Sequence, residues 1–198
     1  MMQEILQQTT WQEWLGVSFS AVQVLLARKN NSNNYLFGIA GISLSLYVMF
    51  LAKLYAEFTL NLYYLVMSIY GWLYWKFGKG HSETVISETN NKEKLITAGI
   101  VVGTFSLFYI FLTHFTDSDV PILDSLVSAF AWAGMWLMAR RKIENWILLN
   151  ISNIIAIPLL IHKELYLYAA LTAFLFIIAI SGYIEWRKII KSKSLEVD

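Results

Sequence analysis

The 198-residue sequence contains no cysteine and only two prolines, Pro121 and Pro158. The lack of cysteine excludes a disulfide framework, a thiolate nucleophile and any cysteine-based metal site. The scarcity of proline favours long helices over a turn-rich β architecture. A net charge of only +1 gives no bulk electrostatic attraction to nucleic acid, so no nucleic-acid partner is expected.

Charged residues are also scarce. They make up 15% of the chain, against roughly 25% in an average soluble domain. Apolar residues make up 57%, and the mean hydropathy is +0.52. A soluble protein of this size needs a charged shell, which these few side chains do not provide. The composition therefore excludes an ordinary soluble enzyme and indicates a single domain, residues 1–198, that is solvated by lipid.

Seven apolar stretches follow one another along the chain, each of roughly 17–22 residues and close to the ~20 that a membrane-spanning helix requires. They run from about Trp11 to Ala27, Tyr35 to Ala52, Phe58 to Phe77, Leu95 to Thr113, Pro121 to Ala139, Asn145 to Ile161 and Leu165 to Trp186. A membrane β-barrel would instead have ~10-residue segments of alternating polarity. The sequence thus predicts an all-α polytopic membrane protein with seven transmembrane helices. The longest linker, residues 78–94, is expected to be a flexible connector.

The distribution of Lys and Arg predicts the orientation in the membrane. With seven spans, the connections after spans 1, 3, 5 and 7 lie on one side. They carry all of the 15 basic residues except Lys53 and Lys163. Because short cationic loops are retained in the cytoplasm, we expect the N-terminus outside and the C-terminus in the cytoplasm.

The two ends of the chain resemble each other in sequence. At a shift of 112 residues Leu25–Lys29 (LLARK) coincides with Leu137–Arg141 (LMARR), and at a shift of 111 Gly71 coincides with Gly182 and Trp75 with Trp186. This pattern predicts a parallel 3+1+3 repeat, with repeat one at about 11–77, a linker helix at about 95–113 and repeat two at about 121–188. The same plan is found in SWEET transporters. Gly71 and Gly182 are expected to allow close helix approach in each repeat.

No catalytic set is visible in the sequence. The three histidines, His81, His114 and His162, fall in loops or at span ends, and no HExxH or GxSxG motif occurs. We therefore expect no catalytic residue, no metal site and no cofactor. The middles of the spans also lack carboxylates, which coupled pumps usually need, so passive uniport is favoured over ion-coupled transport.

Neutral polar and aromatic residues do recur at helical spacing within the spans. Because each set lies on one face of its helix, we predict a substrate site between the spans. Its candidate residues are Gln23 in span 1, Asn61, Tyr64, Ser68 and Trp72 in span 3, and Trp146, Asn150 and Asn153 in span 6. Aromatic planes beside amides suit a flat polar ring, uncharged or cationic, and a sugar would fit equally well.

Structural roles are an alternative interpretation of the same residues. Asn and Ser can bond between helices without any ligand, and Trp and Tyr can form an interfacial belt. We expect Trp11, Trp14, Trp75 and Trp186 to belong to such a belt. A scaffold or regulatory membrane protein therefore remains an alternative to a transporter.

Three segments resemble the vitamin transporters of the Pnu type. They are Leu51–Gly78, with its GWLYW stretch, Leu137–Asn153 (LMARRKIENWILLNISN) and Lys163–Lys188 (KELYLYAALTAFLFIIAISGYIEWRK). The resemblance implies a bacterial inner-membrane protein with the three-plus-one-plus-three plan and a homotrimeric assembly. It also implies facilitated diffusion, followed by phosphorylation of the vitamin by a cytoplasmic kinase that traps it.

The resemblance leaves the vitamin open. Members of the family carry nicotinamide riboside, thiamine or riboflavin. The first two present a cationic aromatic ring, whereas riboflavin is larger and neutral. We expect nicotinamide riboside, with thiamine and then riboflavin as alternatives.

Overall fold

The computed structural model describes residues 11–51, 55–78 and 84–195, and within these ranges the chain is helical with no named strand. The helices are α1 (Trp11–Arg28), α2 (Asn34–Leu51), α3 (Tyr55–Phe77), α4 (Asn91–Phe115), α5 (Pro121–Ala139), α6 (Asn145–His162) and α7 (Tyr166–Leu195). Helices α1 to α6 each begin and end within four residues of one predicted stretch, whereas α7 continues nine residues beyond the predicted end at Trp186. The predicted all-α class is confirmed.

Among the described helices, α2, α4, α5, α6 and α7 are long and apolar enough to cross a membrane. The chain is therefore polytopic. Helices α1 and α3 fall short of that criterion of length and composition. Both carry polar residues along their length, among them Gln12, Glu13 and Gln23 in α1 and Asn61 in α3. That α1 and α3 also span remains a prediction.

The helices pack in two triplets. Helix α2 lies against α1 and α3, while α6 lies against α5 and α7. The triplets meet through contacts of α1 with α7 and of α3 with α5. Helix α4 packs on α5 and leaves Leu95, Val102 and Ile110 largely exposed, as expected of a peripheral helix that faces lipid.

The α1–α2 and α5–α6 connections have the same backbone geometry. Asn30 and Arg141 both adopt φ 57°, and their N–H groups donate to Ala27 O and Met138 O at 2.9 Å in each case. Four residues further on, the buried Asn34 and Asn145 side chains each donate to the carbonyl three positions before them, at 2.7 and 2.5 Å. The equivalent residues of the two connections are all offset by 111 residues, not by the 112 at which LLARK of α1 coincides with LMARR of α5.

Four aromatic side chains, Tyr35, Trp75, Trp146 and Trp186, form a buried cluster that we call the inner cluster. Ring centroids lie 5.1 Å apart for Tyr35 and Trp75, 5.6 Å for Trp75 and Trp186, and 5.5 Å for Trp146 and Trp186. Trp75 and Trp186 are each 0% exposed, so the prediction that they belong to an interfacial belt is wrong. Their indoles are buried because each N–H has a carbonyl partner across the bundle.

Those indole bonds cross between the triplets. Trp75 Nε1 donates to Met138 O at 2.9 Å, and Trp186 Nε1 donates to Ala27 O at 3.1 Å. Tyr35 Oη also donates to Met138 O, at 3.2 Å. Trp11 and Trp14, at 65% and 40% exposed, lie on the surface, where the predicted belt would be.

The two predicted glycine contacts are confirmed. A Cβ at Gly71 would lie 2.5 Å from Tyr35 Cζ, and one at Gly182 would lie 2.7 Å from Trp146 Cε2. Both rings are buried in the inner cluster, so neither can move away freely. Glycine at these positions therefore allows α3 and α7 to approach the rings of α2 and α6.

The described part of the long connection is packed against the bundle, contrary to the expectation of a flexible connector. Ile86 is buried, and Ser87 exchanges backbone hydrogen bonds with Arg141 and Ile143 at 3.2 and 3.0 Å. Glu144 Oε1 accepts from both the N–H and the hydroxyl of Thr89 at 2.8 Å. The sequence did not reveal this because the anchoring partners lie more than fifty residues away.

Substitution of Gly71 tests the glycine contact. Gly71→Ala should destabilise the protein by about 1–3 kcal/mol, since the added methyl overlaps a buried ring. Gly99→Ala on α4 is the matched control, because a Cβ there meets nothing within 4 Å. Thermal unfolding in detergent measures both variants. An equal melting temperature for the two would contradict the proposed packing.

Candidate functional site

A cavity of about 500 Å³ lies between α1 and α2, with α3 and α7 contributing at its edge. We call it the polar cavity. One wall is a face of α1 that carries Gln12, Gly16, Ser20 and Gln23 at helical spacing. At 1.5 Å per residue this face extends over roughly 16 Å, about half the hydrocarbon thickness of a bilayer. The cavity therefore leads from the start of α1 toward the middle of the bundle.

Two glycines of α2 form the facing wall. A Cβ at Gly38 would lie 2.7 Å from Gln23 Nε2, and one at Gly41 would lie 3.2 Å from Phe19 Cβ. The Gln23 amide thus lies directly over the α2 backbone at Gly38. A larger residue at position 38 would displace this amide.

Glu13 places a carboxylate in the lining of the polar cavity, one turn before Gly16. Tyr168 Oη of α7 donates to Glu13 Oε1 at 3.4 Å. Among the described lining residues Glu13 carries the one charge, and none is Lys or Arg. Within the part of the chain that the structure describes, the cavity is therefore suited to a cation or a neutral polar molecule.

Asn61 of α3 also lines the polar cavity, and its Nδ2 lies 3.5 Å from Met49 Sδ. Gln23 and Asn61, predicted from separate spans, are therefore brought to one cavity. Ser45 and Met49 of α2 complete this edge.

A second concavity, of about 380 Å³, lies between α6 and α7, and Trp146 and Asn150 line it. Trp146 Nε1 and Asn150 Oδ1 are buried and have no hydrogen-bond partner among the described residues. They are a donor and an acceptor one helical turn apart. A buried polar atom without a partner is unfavourable by about 1–3 kcal/mol, so the pair has unused hydrogen-bonding capacity.

The other predicted residues line neither of these two concavities. Ser68 is fully buried, and its Oγ has no partner among the described residues. The Tyr64 ring packs edge-on against the Tyr63 ring. Tyr63 in turn stacks on Trp132, with ring centroids 3.9 Å apart. Trp72 lies 5.2 Å beneath Lys76 Nζ, and Asn153 is partly buried.

Sequence reasoning missed Glu13, Ser45 and Tyr168 as lining residues. The polar spacing of Gln12, Gly16, Ser20 and Gln23 was a signal that could have found the α1 face. Tyr168 had no such signal, because it reaches the cavity from the far end of the chain.

The chain is similar in sequence and in fold to a family of membrane transporters. The family model described as "Nicotinamide mononucleotide transporter" matches residues 10–188. A "Nicotinamide riboside transporter PnuC" from Neisseria mucosa is 30% identical, over 86% of this chain and 70% of that protein. The protein of the same name from Escherichia coli K12 is 23% identical, over 89% of this chain and 85% of its own length. A crystal structure of a vitamin B3 transporter, PnuC, has the same fold, with a TM-score of 0.71 at 24% identity over 92% of this chain and 83% of that one.

Two indole substitutions test whether the Trp146 N–H contributes to the fold. Trp75→Phe should be the more destabilising by about 1 kcal/mol, because it loses the bond to Met138 O. Trp146→Phe removes a donor that has no partner among the residues the structure describes. Both side chains are buried, so the loss of ring volume is matched. Chemical or thermal unfolding in detergent measures the difference, and a larger effect at Trp146 would contradict the assignment.

Proposed function

Because the chain belongs to the family described as nicotinamide mononucleotide transporter, we propose that it takes up nicotinamide riboside by facilitated diffusion. It is a multi-pass protein of the bacterial inner membrane, and the riboside would enter the cytoplasm. The observation that most directly supports this proposal is a polar cavity in an otherwise apolar bundle. Its volume of about 500 Å³ falls within the roughly 300–1,000 Å³ of small-molecule sites.

The charge of the cavity favours the riboside over the phosphorylated mononucleotide. A phosphate would bring its negative charge toward the Glu13 carboxylate, with no Lys or Arg among the described lining residues. The ring of nicotinamide riboside is cationic, and so is that of thiamine, the alternative substrate. Riboflavin is neutral and gains nothing from Glu13.

We assign the substrate contacts to the predicted residues. Gln23 and Asn61 would hydrogen-bond the vitamin from the polar cavity. Trp146 and Asn150 would offer an N–H and a C=O that have no partner within the described ranges. Asn153 and the α3 face with Tyr64, Ser68 and Trp72 would contribute as the helices move during transport. The buried Ser68 hydroxyl, which has no partner in the described part of the chain, supports this role.

A parallel repeat relates the two triplets in this proposal, with α4 as the linker. The support is that equivalent residues exchange equivalent bonds: Trp75 donates to Met138 O and Trp186 donates to Ala27 O, each pair offset by 111 residues. With α1 and α3 also spanning, seven spans place the N-terminus outside, as the Lys and Arg distribution indicates. The polar cavity then faces the outside, and the inner cluster lies near the cytoplasm.

Uniport and trapping complete the proposal. The span centres lack carboxylates for a proton relay, so the gradient would come from the vitamin itself. A cytoplasmic kinase would maintain that gradient by phosphorylating the vitamin, since the added phosphate is incompatible with return through the cavity. We also propose a homotrimer, on the family resemblance alone.

Uptake into liposomes tests the transport mechanism. Reconstituted protein should equilibrate labelled nicotinamide riboside across the membrane without any proton or sodium gradient, and an imposed gradient should not drive accumulation. The control is protein-free liposomes. Accumulation above the outside concentration under an ion gradient would overturn uniport, while a complete lack of flux would favour a scaffold or regulatory role.

Alanine substitution tests the site. Asn61→Ala and Asn150→Ala should each weaken vitamin binding by roughly tenfold, because each removes an amide that bonds the ligand in a low-dielectric site. Asn91→Ala, at the exposed start of α4, is the control. Calorimetric titration with nicotinamide riboside measures the affinity, and competition with thiamine, riboflavin and glucose ranks the alternatives. Unchanged binding in both variants would refute these assignments.

A further inference from the structure

Arg141 lies where the two triplets meet, at the end of the bundle that holds the inner cluster. It follows the last residue of α5 by two positions and is only 4% exposed. Its φ of 57° is in the left-handed region, where asparagine is common and arginine is not. The equivalent residue of the first connection, Asn30, is the ordinary choice. Arginine at position 141 is therefore explained by its side chain, not by the backbone it adopts.

The Arg141 side chain joins three separate segments. Nε donates to Asn30 Oδ1 at 2.7 Å and Nη2 donates to Asn30 O at 3.2 Å, in the α1–α2 connection. Nη1 donates to Thr84 O, in the packed segment before α4. The guanidinium also lies 4.5 Å from the centroid of the Trp75 ring, at the end of α3. A planar guanidinium suits this position because it can bond in several directions and stack at the same time.

The contacts with Asn30 and Trp75 cross between the triplets. They lie at the same end as the indole bonds to Met138 O and Ala27 O. The polar cavity begins at the opposite end, at Gln12 and Glu13 of α1, and extends toward this end as far as Gln23 of α1 and Gly38 of α2. Arg141 and the two indole bonds thus hold the triplets together at the end toward which the cavity extends.

We infer that Arg141 is a latch that holds this end of the transport path closed. Release of substrate requires that its bonds to Asn30 and its stacking on Trp75 break together. The direction of that release, into the cytoplasm, rests on the proposed function, whereas the closure itself does not. The latch is a positioning device and does not touch the substrate in the closed state.

Single-cysteine labelling tests the latch, since the natural chain contains no cysteine. Ala27→Cys places a thiol at a position that is 1% exposed and packed in the inner cluster. Its modification by a maleimide in detergent reports opening of this end, independently of orientation in a membrane. The rate is compared in three backgrounds that carry Arg141→Gln, Asn30→Gly or Lys142→Gln.

Arg141→Gln and Asn30→Gly should each accelerate labelling by about fivefold or more, because the closed state loses bonds that only it contains. Glycine at position 30 keeps the left-handed backbone and removes only the side-chain acceptor. Lys142→Gln is the matched control. It removes one positive charge from the same turn, but Lys142 bonds to Glu93 and to the Glu88 carbonyl, outside the first triplet. Its labelling rate should stay at that of the parent.

Binding of nicotinamide riboside separates the latch from a general loss of fold. Both latch variants should bind the vitamin with the parental affinity, which a merely destabilised protein would not. Labelling of both latch variants no faster than that of Lys142→Gln would overturn the latch.

If Arg141→Gln does not fold, the labelling rate of the Asn30→Gly variant decides. If the parent binds no vitamin while labelling still depends on Arg141, the proposed function fails and the latch stands.

Discussion

The structure depends on one constraint: a polar group inside a lipid-embedded bundle must find its partner within the protein. An indole N–H has no hydrogen-bond partner in hydrocarbon, so a buried indole must find an acceptor within the bundle. In the inner cluster that acceptor is a carbonyl near the end of a helix, which also accepts from a backbone N–H of the following turn. Met138 O and Ala27 O, in the last turns of α5 and α1, accept from Trp75 and Trp186 of the opposite triplet. Each bond satisfies a donor and also holds the two triplets together.

The same constraint gives meaning to the polar atoms that remain without partners. Trp146 occupies the position equivalent to Tyr35, yet its N–H donates to nothing among the described residues, whereas the Tyr35 hydroxyl bonds to Met138 O. Asn150 Oδ1, one turn further along α6, also accepts no hydrogen bond from the described residues. Among the described residues, this pair supports the substrate contacts that we propose for α6. A carrier needs such groups because its substrate must lose water on entry and regain equivalent bonds inside.

The two ends of the bundle differ in a way that suits transport. At one end, glycines bring helices against large rings, and Arg141 ties the triplets together. At the other end, Gln12, Glu13 and Gly16 of α1 face a cavity. One end is therefore closed by packing and hydrogen bonds while the other is accessible, which is the asymmetry that alternating access requires.

The amino-acid sequence alone determined the helices, because their signal is local: apolar length, polar turns and the lack of proline and charge. It also indicated Gly71 and Gly182 as points of close approach, since the repeat aligned them. Only the tertiary structure decided that Trp75 and Trp186 are buried, since nothing local distinguishes an interfacial indole from one whose carbonyl partner lies over sixty residues away. It likewise decided that Gln23 and Asn61 share a cavity with Glu13 and Tyr168, and that Ile86 and Thr89 are anchored instead of free. Spacing along one helix shows which residues share a face, but the neighbour of that face is set by packing between distant segments.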